Sequence, residues 1–589
     1  MSIAQCETTR TPSSRGSSRA WLRALELTAP IPKNPERLLS SVIEEWAEKS
    51  PDAPALLSSR ECFTFSGLAG RANQYTRWAL QHGLGKGDTV CLLMPNRPEY
   101  MAIWLGITRT GCSVALVNTN LTGGSLAHSM SLVAPKHIIA AAEFVDRLHF
   151  GSAAGFWVHC QMGIEQYSPE KLAHSERRRV TIEDRALYIY TSGTTGLPKA
   201  ANISHARLMQ WSHWFAGMME TNPGDRLYNC LPMYHSVGGI VATGAVLVAG
   251  GSVVVRESFS ASQFWHDIVQ WDCTLFQYIG ELCRYVLKTA ESPCETAHRI
   301  RMCCGNGLRP DIWNSFKSRF SIPRILEFYA STEGNVSMFN VEGKPGAIGR
   351  TPAYLAHRFP ATLVRFDVET EQPVRNERGF CVRAAANETG ETIGRIVDDA
   401  SNAGNRFEGY SSSEESEKKI LRDVFEPGDA WFRTGDLMRR DEQGYFYFVD
   451  RIGDTYRWKG ENVSTTEVSE AICAFPGIQQ ANVYGVSVPG FDGRAGMAMI
   501  VCSDDLDLAD FRRQLCHRLP EYAHPLFWRV RGELDMTATF KYTKNHLAQE
   551  GFDPSAIDDV IYFNDRQRAA FVRLDEELYK RLRTGEVRL

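Results

Sequence analysis

Tyr190-Thr191-Ser192-Gly193-Thr194-Thr195-Gly196-Leu197-Pro198-Lys199 decides how the rest of the chain is read. An apolar run, Ala186-Leu187-Tyr188-Ile189, precedes it and reads as a buried strand. Ser204 follows as a candidate N-cap for a helix beginning near His205. Hydroxyl side chains and two glycines thus occupy what reads as a strand-to-helix connection, closed by the cation of Lys199. Glycine lets backbone N–H groups approach a ligand, and hydroxyls add donors, so the stretch suits a polyphosphate. It is not the Walker loop, because the glycines of G-x-x-x-x-G-K-[ST] are further apart than Gly193 and Gly196. Composition alone leaves a polar surface turn equally open.

Outward from the loop, a chain of 589 residues is too long for a single core and implies several domains. Its 43% hydrophobic and 23% charged residues are those of a globular protein, and a net charge of −4 gives no reason to expect nucleic acid. The 15 cysteines are scattered, with no C-x-x-C pair. That argues against structural zinc and for reduced thiols in a cytosol-like compartment. Residues 1–30 open with a stretch rich in Ser, Thr and Arg. It has no apolar core and so is no secretory signal. It reads as a polar, disordered tail, with a transit peptide as the other reading. The uncharged run Val237–Val255 approaches the length of a membrane span. Its glycines instead indicate a buried helix, a Gly250-Gly251 turn and a strand over Ser252–Val255, so no transmembrane segment is predicted.

From Pro35 onward, helical and strand-like segments alternate. Thr89–Met94, Cys112–Val117, His137–Ala141, Ala186–Ile189, Cys273–Gln277, Ile300–Cys304 and Ile325–Tyr329 are short apolar runs between helices. Continuous apolar strands of this kind predict a mainly parallel sheet covered on both faces, an α/β fold. Between about 346 and 449, turn residues and short apolar runs suggest a small β subdomain. Beyond Asp450 a new unit begins, with a helix over Thr466–Phe475, a hairpin of Ala481–Val488 with Gly496–Val501, and a helix over Leu508–Leu519 capped by Asp507.

Several polar clusters stand at the ends of these elements, and each has an ordinary structural reading beside a chemical one. Thr332-Glu333 follows a buried strand, where ligands of open α/β sheets bind, and a carboxylate near a phosphate loop suits magnesium; a helix cap explains it equally simply. Asp436, in Thr434-Gly435-Asp436, could accept from both ribose hydroxyls or sit in a plain turn. Gly453, in Asp450-Arg451-Ile452-Gly453-Asp454, suits a hinge or an interdomain turn. Tyr234-His235, before Gly238-Gly239, suits the wall of an apolar pocket or an ordinary core. Lys541 has no spacing that distinguishes it from a surface lysine.

The order of these elements carries what no single one does. Thr191–Lys199, Tyr234-His235, Thr332-Glu333, Thr434-Gly435-Asp436, Asp450-Arg451 and Lys541 resemble, in sequence and in order, the adenylate-forming superfamily of acyl-CoA synthetases, adenylation domains and luciferases. The likeness spans roughly Pro35 to Pro554. The stretches Cys304-Gly305-Asn306-Gly307-Leu308-Arg309-Pro310, Glu327–Asn335, Gly453–Val463 and Thr539-Phe540-Lys541 look like its fatty acid transport protein and very-long-chain acyl-CoA synthetase branch.

The resemblance implies an α/β fold with a large N-terminal domain (31–450) of two sandwiched α/β subdomains plus the small β subdomain, and a mobile α+β C-terminal domain (451–589). It implies an AMP-forming acid–thiol ligase using ATP, CoA and Mg²⁺ on a fatty acid of long or very long chain. In these terms Thr191, Ser192, Gly193, Thr194, Thr195, Gly196 and Lys199 form the ATP phosphate loop. Thr332 touches the α-phosphate and Glu333 holds the metal. Gly305, Asn306, Gly307 and Tyr329 flank the adenine, and Asp436 and Arg451 hold the ribose. Lys541 bridges the attacking carboxylate and ATP. Tyr234, His235 and Tyr278 line the acyl pocket; Gly453, Lys459 and Gly460 serve the hinge and the CoA channel. Gly453 stands where many relatives carry Asp or Lys, and Phe540 stands where a glycine is usual, so Lys541 is carried over by position. Three rivals remain: a bile- or steroid-type acid as substrate, a separate carrier protein as acceptor, and a non-catalytic lipid carrier. A cytoplasmic location with peripheral membrane contact fits each of them.

Overall fold

A computed structural model describes residues 14–148, 154–192, 198–397, 406–458, 461–489, 491, 493–503, 506–534 and 544–587. The chain divides into two compact units, residues 1–360 with 395–420, and residues 361–394 with 421–589.

The first unit contains two largely parallel sheets, as the continuous apolar runs predict. In the six-stranded sheet, Thr89–Leu93 is buried along its whole length. It pairs in parallel with His137–Ala140 and with Ser113–Leu116. Gly155–Val158 extends one side, and Arg185–Ser192 the other. The strand Pro198–Ser204 then pairs antiparallel with Arg185–Ser192, placing Lys199 opposite Thr191. The strand Arg185–Ser192 is therefore followed first by a second, antiparallel strand and not directly by a helix. The run Pro198-Lys199-Ala200-Ala201-Asn202-Ile203 hides its strand character by mixing small, charged and amide side chains. The helix follows one element later, at His205–Met219, with the Ser204 hydroxyl accepting from the Arg207 N–H as its cap.

The eight-stranded sheet runs Ser337–Asn340, Ile325–Ala330, Met302–Asn306, Leu275–Ile279, Arg226–Asn229, Ser252–Val255, Pro54–Leu57, Cys62–Thr64. Both ends are antiparallel and the interior is parallel. The glycine-rich run resolves into a π-turn (Val237–Val241), a helix (Ala242–Leu247) and the strand Ser252–Val255, as expected. Buried Asn96, just beyond the strand Thr89–Leu93, ties the two sheets together. Its amide donates to the carbonyls of Leu231 (2.9 Å) and Arg256 (3.0 Å) and accepts from the Met233 N–H (2.8 Å).

One expectation fails over residues 14–28, residues 1–13 lying outside the described ones. Within the supposed tail, Ser14–Thr28 is a helix packed along His205–Met219. Ala20, Trp21 and Ala24 are buried, at a spacing of one helical turn, while Arg19, Leu22, Glu26 and Leu27 face out. The backbones meet at Gly217, where a Cβ would lie 2.4 Å from Ala24 Cα. Arg23 fastens the contact, donating to the Gly217 carbonyl and pairing with Glu220.

Among its described residues the second unit holds two larger sheets and a two-stranded one, Tyr456–Trp458 with Glu461–Val463. One larger sheet is built from Ala361–Asp367, Gln372–Pro373, Thr389–Arg395, Ile420–Arg422, Ala430–Arg440 and Phe446–Arg451. The other has the order Ile478–Val486, Ala495–Cys502, Phe527–Val530, Val560–Asp565, Ala570–Arg573, flanked by helices Thr465–Cys473 and Leu508–Arg518. The expected hairpin and the Asp507 cap are both present. Asp436 lies inside the strand Ala430–Arg440 and not in a turn, because Gly435 and a register shift after Leu437 admit a kink without ending the pairing. No helix among the described residues is long and apolar enough to cross a membrane.

Gly217→Ala is expected to lower stability by about 1–3 kcal/mol through overpacking. It should expose Arg19 and Arg23 to trypsin before the rest of the chain is cut. Chemical denaturation and timed proteolysis of the variant measure both effects.

Candidate active site

The segment Ser331-Thr332-Glu333 leaves the parallel strand Ile325–Ala330 and is held from behind by Arg207. That guanidinium, 0% exposed, donates to the Thr332 carbonyl (2.7 Å) and to the Arg406 carbonyl, and its Nε stands 3.8 Å from Glu408. A buried cation requires such compensation, and removing either partner strands the other. Glu408 also accepts from the Ser204 N–H (2.7 Å) and hydroxyl, so one acid locks the helix start and the returning chain together.

The returning chain, 406–411, runs along the edge strand Pro198–Ser204. Asn202 N–H donates to Gly409, Ser411 N–H donates to Ala200, and Tyr410 faces Ala201. This register aims the Tyr410 hydroxyl at Glu333 Oε1, to which it donates at 2.7 Å. Lys199 lies over the Tyr410 ring and pairs with Glu415, which the Lys199 and Lys418 ammonium groups hold below the usual carboxylate range. Lys199 is thus already neutralised. Thr191 reaches the same cluster, whereas Gly193, Thr194, Thr195 and Gly196 lie outside the described residues, as does the side chain of Ser192. Tyr234 and His235 pack on each other, ring centroids 4.6 Å apart, and Ser236 reaches Thr332 Oγ1 at 3.3 Å.

Across the eight-stranded sheet, Tyr278, Gly305 and Glu327 occupy facing positions on neighbouring strands. Glu327 is fully buried. It accepts from the Tyr278 hydroxyl, the Gly307 N–H and the Leu308 N–H, and so fixes the Gly305-Asn306-Gly307 turn. Burial pushes its carboxyl up to about 8, against the three donors that favour the charged form. Tyr329 lies one strand position from Phe328 and pairs across to Met338. The Asn306 carbonyl oxygen is buried without a partner among the described residues, which leaves it available to a ligand donor.

A cavity opens beside Thr332. Ser236 and Ser331 line it with Thr332 at one part; Trp211, Trp214, Phe215, Phe328, Phe339 and Phe359 supply most of the rest. It has about 40 Å³ of room, enough for a water-sized guest, so a larger apolar molecule enters by displacing aromatic walls. Val237 and Val241, from the π-turn, complete the lining. None of Tyr234, His235 and Tyr278, the residues expected to line an acyl pocket, lines this cavity, and Tyr278 donates its hydroxyl to Glu327.

In the second unit, Asp436 and Arg451 are cross-strand partners, Arg451 Nε standing 3.8 Å from Asp436 Oδ1. A bidentate Arg433–Glu391 pair and a Thr434 hydroxyl bond to Thr392 hold the strand that carries Asp436. Gly453 follows with φ +89°, which favours glycine. The neighbouring turn is anchored by buried Asp450, which accepts from the Thr465 N–H (2.6 Å), and by Asp454, paired with Lys544. Lys459, Gly460 and Lys541 lie outside the described residues.

No linear motif singles out Arg207, Glu408 or Tyr410, and Glu327 stands in sequence only as the first residue of the stretch Glu327–Asn335. Only a sheet register reveals them, since an arginine in a first helical turn or an isolated tyrosine carries no periodic signal.

Known proteins resemble this chain in sequence and in fold. Residues 43–384 match the family described as AMP-binding enzyme, and residues 467–541 match the AMP-binding enzyme C-terminal domain. The chain is 39% identical over 570 residues to long-chain fatty acid transport protein 1 of Mus musculus, covering 93% of this chain and 88% of that one. Among solved structures, the anthranilate CoA ligase AuaEII in complex with anthranoyl-AMP superposes with TM-score 0.73 at 19% identity, over 87% of this chain and 96% of that one. ATP-bound MatB from Rhodopseudomonas palustris gives 0.72 at 22% identity, over 87% and 98%.

Glu327 titration makes a pH signature. Its folded-state value of about 8 exceeds the ordinary 4.5, so the native state holds a proton that the unfolded chain releases. The associated stability is complete below pH 4.5 and is lost as pH rises through about 8. Glu327→Gln, which keeps a neutral side chain, should flatten the fall in melting temperature over that interval.

Proposed function

The chain belongs to the AMP-binding enzyme family, and we propose that within it this protein is an ATP-dependent acid–thiol ligase that makes a fatty acyl-CoA from a long-chain acid. One observation carries the reading: Thr332, the neighbour of the buried Glu333, lines an aromatic-walled cavity. A carboxylate at that mouth would have its apolar tail in the cavity and its charged end beside the phosphate-loop strands. The fatty acid transport relative, aligned over nearly its whole length, supports a fatty acid over a small aromatic acid.

In the first step a carboxylate oxygen attacks the α-phosphorus of ATP, a P–O bond to the β-phosphate breaks, and pyrophosphate leaves. Two anions must meet, so the barrier is electrostatic. In this proposal the hydroxyls of the Thr191–Thr195 loop hold the outer phosphates and Thr332 meets the α-phosphate. Lys541 supplies the cation between carboxylate and nucleotide, since Lys199 is engaged by Glu415. The Gly305–Gly307 turn, braced by Glu327, receives the adenine, and Asp436 with Arg451 receives the ribose. A magnesium ion suits Glu333: a lone buried carboxylate with one oxygen fixed by Tyr410 matches an ion that arrives mostly ligated by phosphate and water. When bound, it neutralises the developing phosphate charge.

In the second step the CoA thiolate attacks the acyl carbon and AMP leaves as its acyl–oxygen bond breaks. A turn about Gly453, at the 450/451 boundary, would exchange Lys541 for the segment of Lys459 and Gly460.

A non-catalytic lipid carrier is the second reading, favoured by the relative's designation as a transport protein. Pyrophosphate release across short, long and polycyclic acids, with and without CoA, separates the two. No release with any acid would sink the ligase reading, and adenylate accumulating without CoA consumption would point to a carrier protein as acceptor.

Lys541→Ala is expected to slow adenylation by on the order of 10²–10³-fold, while thioester formation from supplied acyl-adenylate is retained. Tyr410→Phe should raise the magnesium requirement and lower adenylation by about 10–100-fold, as the loss of a metal ligand's hydrogen-bond partner does. Magnesium titrations of both variants check these values.

A further inference from the structure

We propose that the N-terminal helix Ser14–Thr28, through Trp21, backs the aromatic wall of the acyl cavity and sets the length of chain accepted. The inference rests on the reading of that cavity as the acyl site. The lining divides into two parts. Ser236 and Thr332 touch each other at 3.3 Å and face the reacting end. Trp214, Phe339 and Phe359 form an aromatic cluster, with Trp214 5.8 Å from Phe339 and 5.4 Å from Phe359 between centroids. Trp21 meets all three edge-on, at 5.8, 5.6 and 5.7 Å.

Trp21 is 1% exposed and does not itself line the cavity. It stands behind the three rings that do. An acyl tail can deepen the cavity only by moving those rings, and Trp21 occupies the space into which they would move. The helix carrying it cannot easily yield, because its backbone touches Gly217 and Arg23 bonds the Gly217 carbonyl and Glu220. Edge-to-face aromatic packing adds to this resistance. The length limit is thus contributed by a segment outside the stretch, 43–384, that matches the AMP-binding enzyme family.

Trp21→Ala should move the preference toward longer acids. In a series of saturated acids from medium to very long chain, the kcat/KM ratio between successive lengths should shift by about tenfold near the limit, the scale of one methylene in an apolar pocket. Trp21→Leu gives a smaller shift in the same direction and carries the comparison should the alanine variant fail to fold. Leu22, on the same helix but 51% exposed, is the control: Leu22→Ala leaves the preference unchanged. Val241→Trp, which fills the lining, tests the cavity itself and should move the preference toward shorter acids.

A folded Trp21→Leu or Trp21→Ala enzyme with an unaltered preference overturns the proposal, and a shift from Val241→Trp alongside it leaves the acyl-site reading standing. If Val241→Trp changes nothing either, the reading of the cavity fails with it.

Discussion

The first unit depends on one buried guanidinium. Arg207 lies in the opening turn of a helix, yet it faces inward and donates to carbonyls from two segments far apart in sequence, at Thr332 and Arg406. Backbone carbonyls in irregular segments need partners once water is excluded. A fully buried arginine provides several donors at fixed angles, which a lysine cannot. Glu408 compensates the charge and spends its remaining capacity on the Ser204 cap. The helix start, the strand end and the returning chain are thereby fixed by one set of contacts. The site lies where those three segments converge.

Around that hub, the polar groups are held in pairs. Tyr410 orients Glu333, Glu415 neutralises Lys199, and Tyr278 with Glu327 shapes the Gly305–Gly307 turn. The cost is a carboxyl held without water. The fold bears this in Glu327 by letting it keep a proton, which links the geometry of the turn to acidity.

Much of this was legible in the sequence. Continuous apolar runs announce the parallel strands, and Thr332-Glu333 follows the strand Ile325–Ala330 as its place after an apolar run predicts. What stayed hidden has physical reasons. Trp21 stays hidden because the residues before it, 14–19, are serines, arginines and one glycine, and only the helical spacing of Ala20, Trp21 and Ala24 marks an apolar stripe. Pro198–Ser204 was missed because its strand character comes from its partners on both sides rather than from its own side chains. Tyr278 reads as a pocket residue until its hydroxyl is found to be committed elsewhere. Glu408 and Tyr410 matter only through a register with residues about two hundred positions earlier, which no local pattern encodes.

The return of residues 406–411 to the edge of the first sheet also sets a timetable. The chain leaves the first unit after Pro360, contributes 361–394 to the second, and only then comes back. On a ribosome, Glu333 emerges well before the tyrosine that steadies it. At about 5–20 residues per second, that interval lasts several seconds. During it the strand Pro198–Ser204 is an open sheet edge and Arg207 is a cation with only part of its partners. The nascent protein therefore passes through a stage in which its most consequential buried charge is still wet. The edge closes only after residues 361–394 of the second unit have been synthesised.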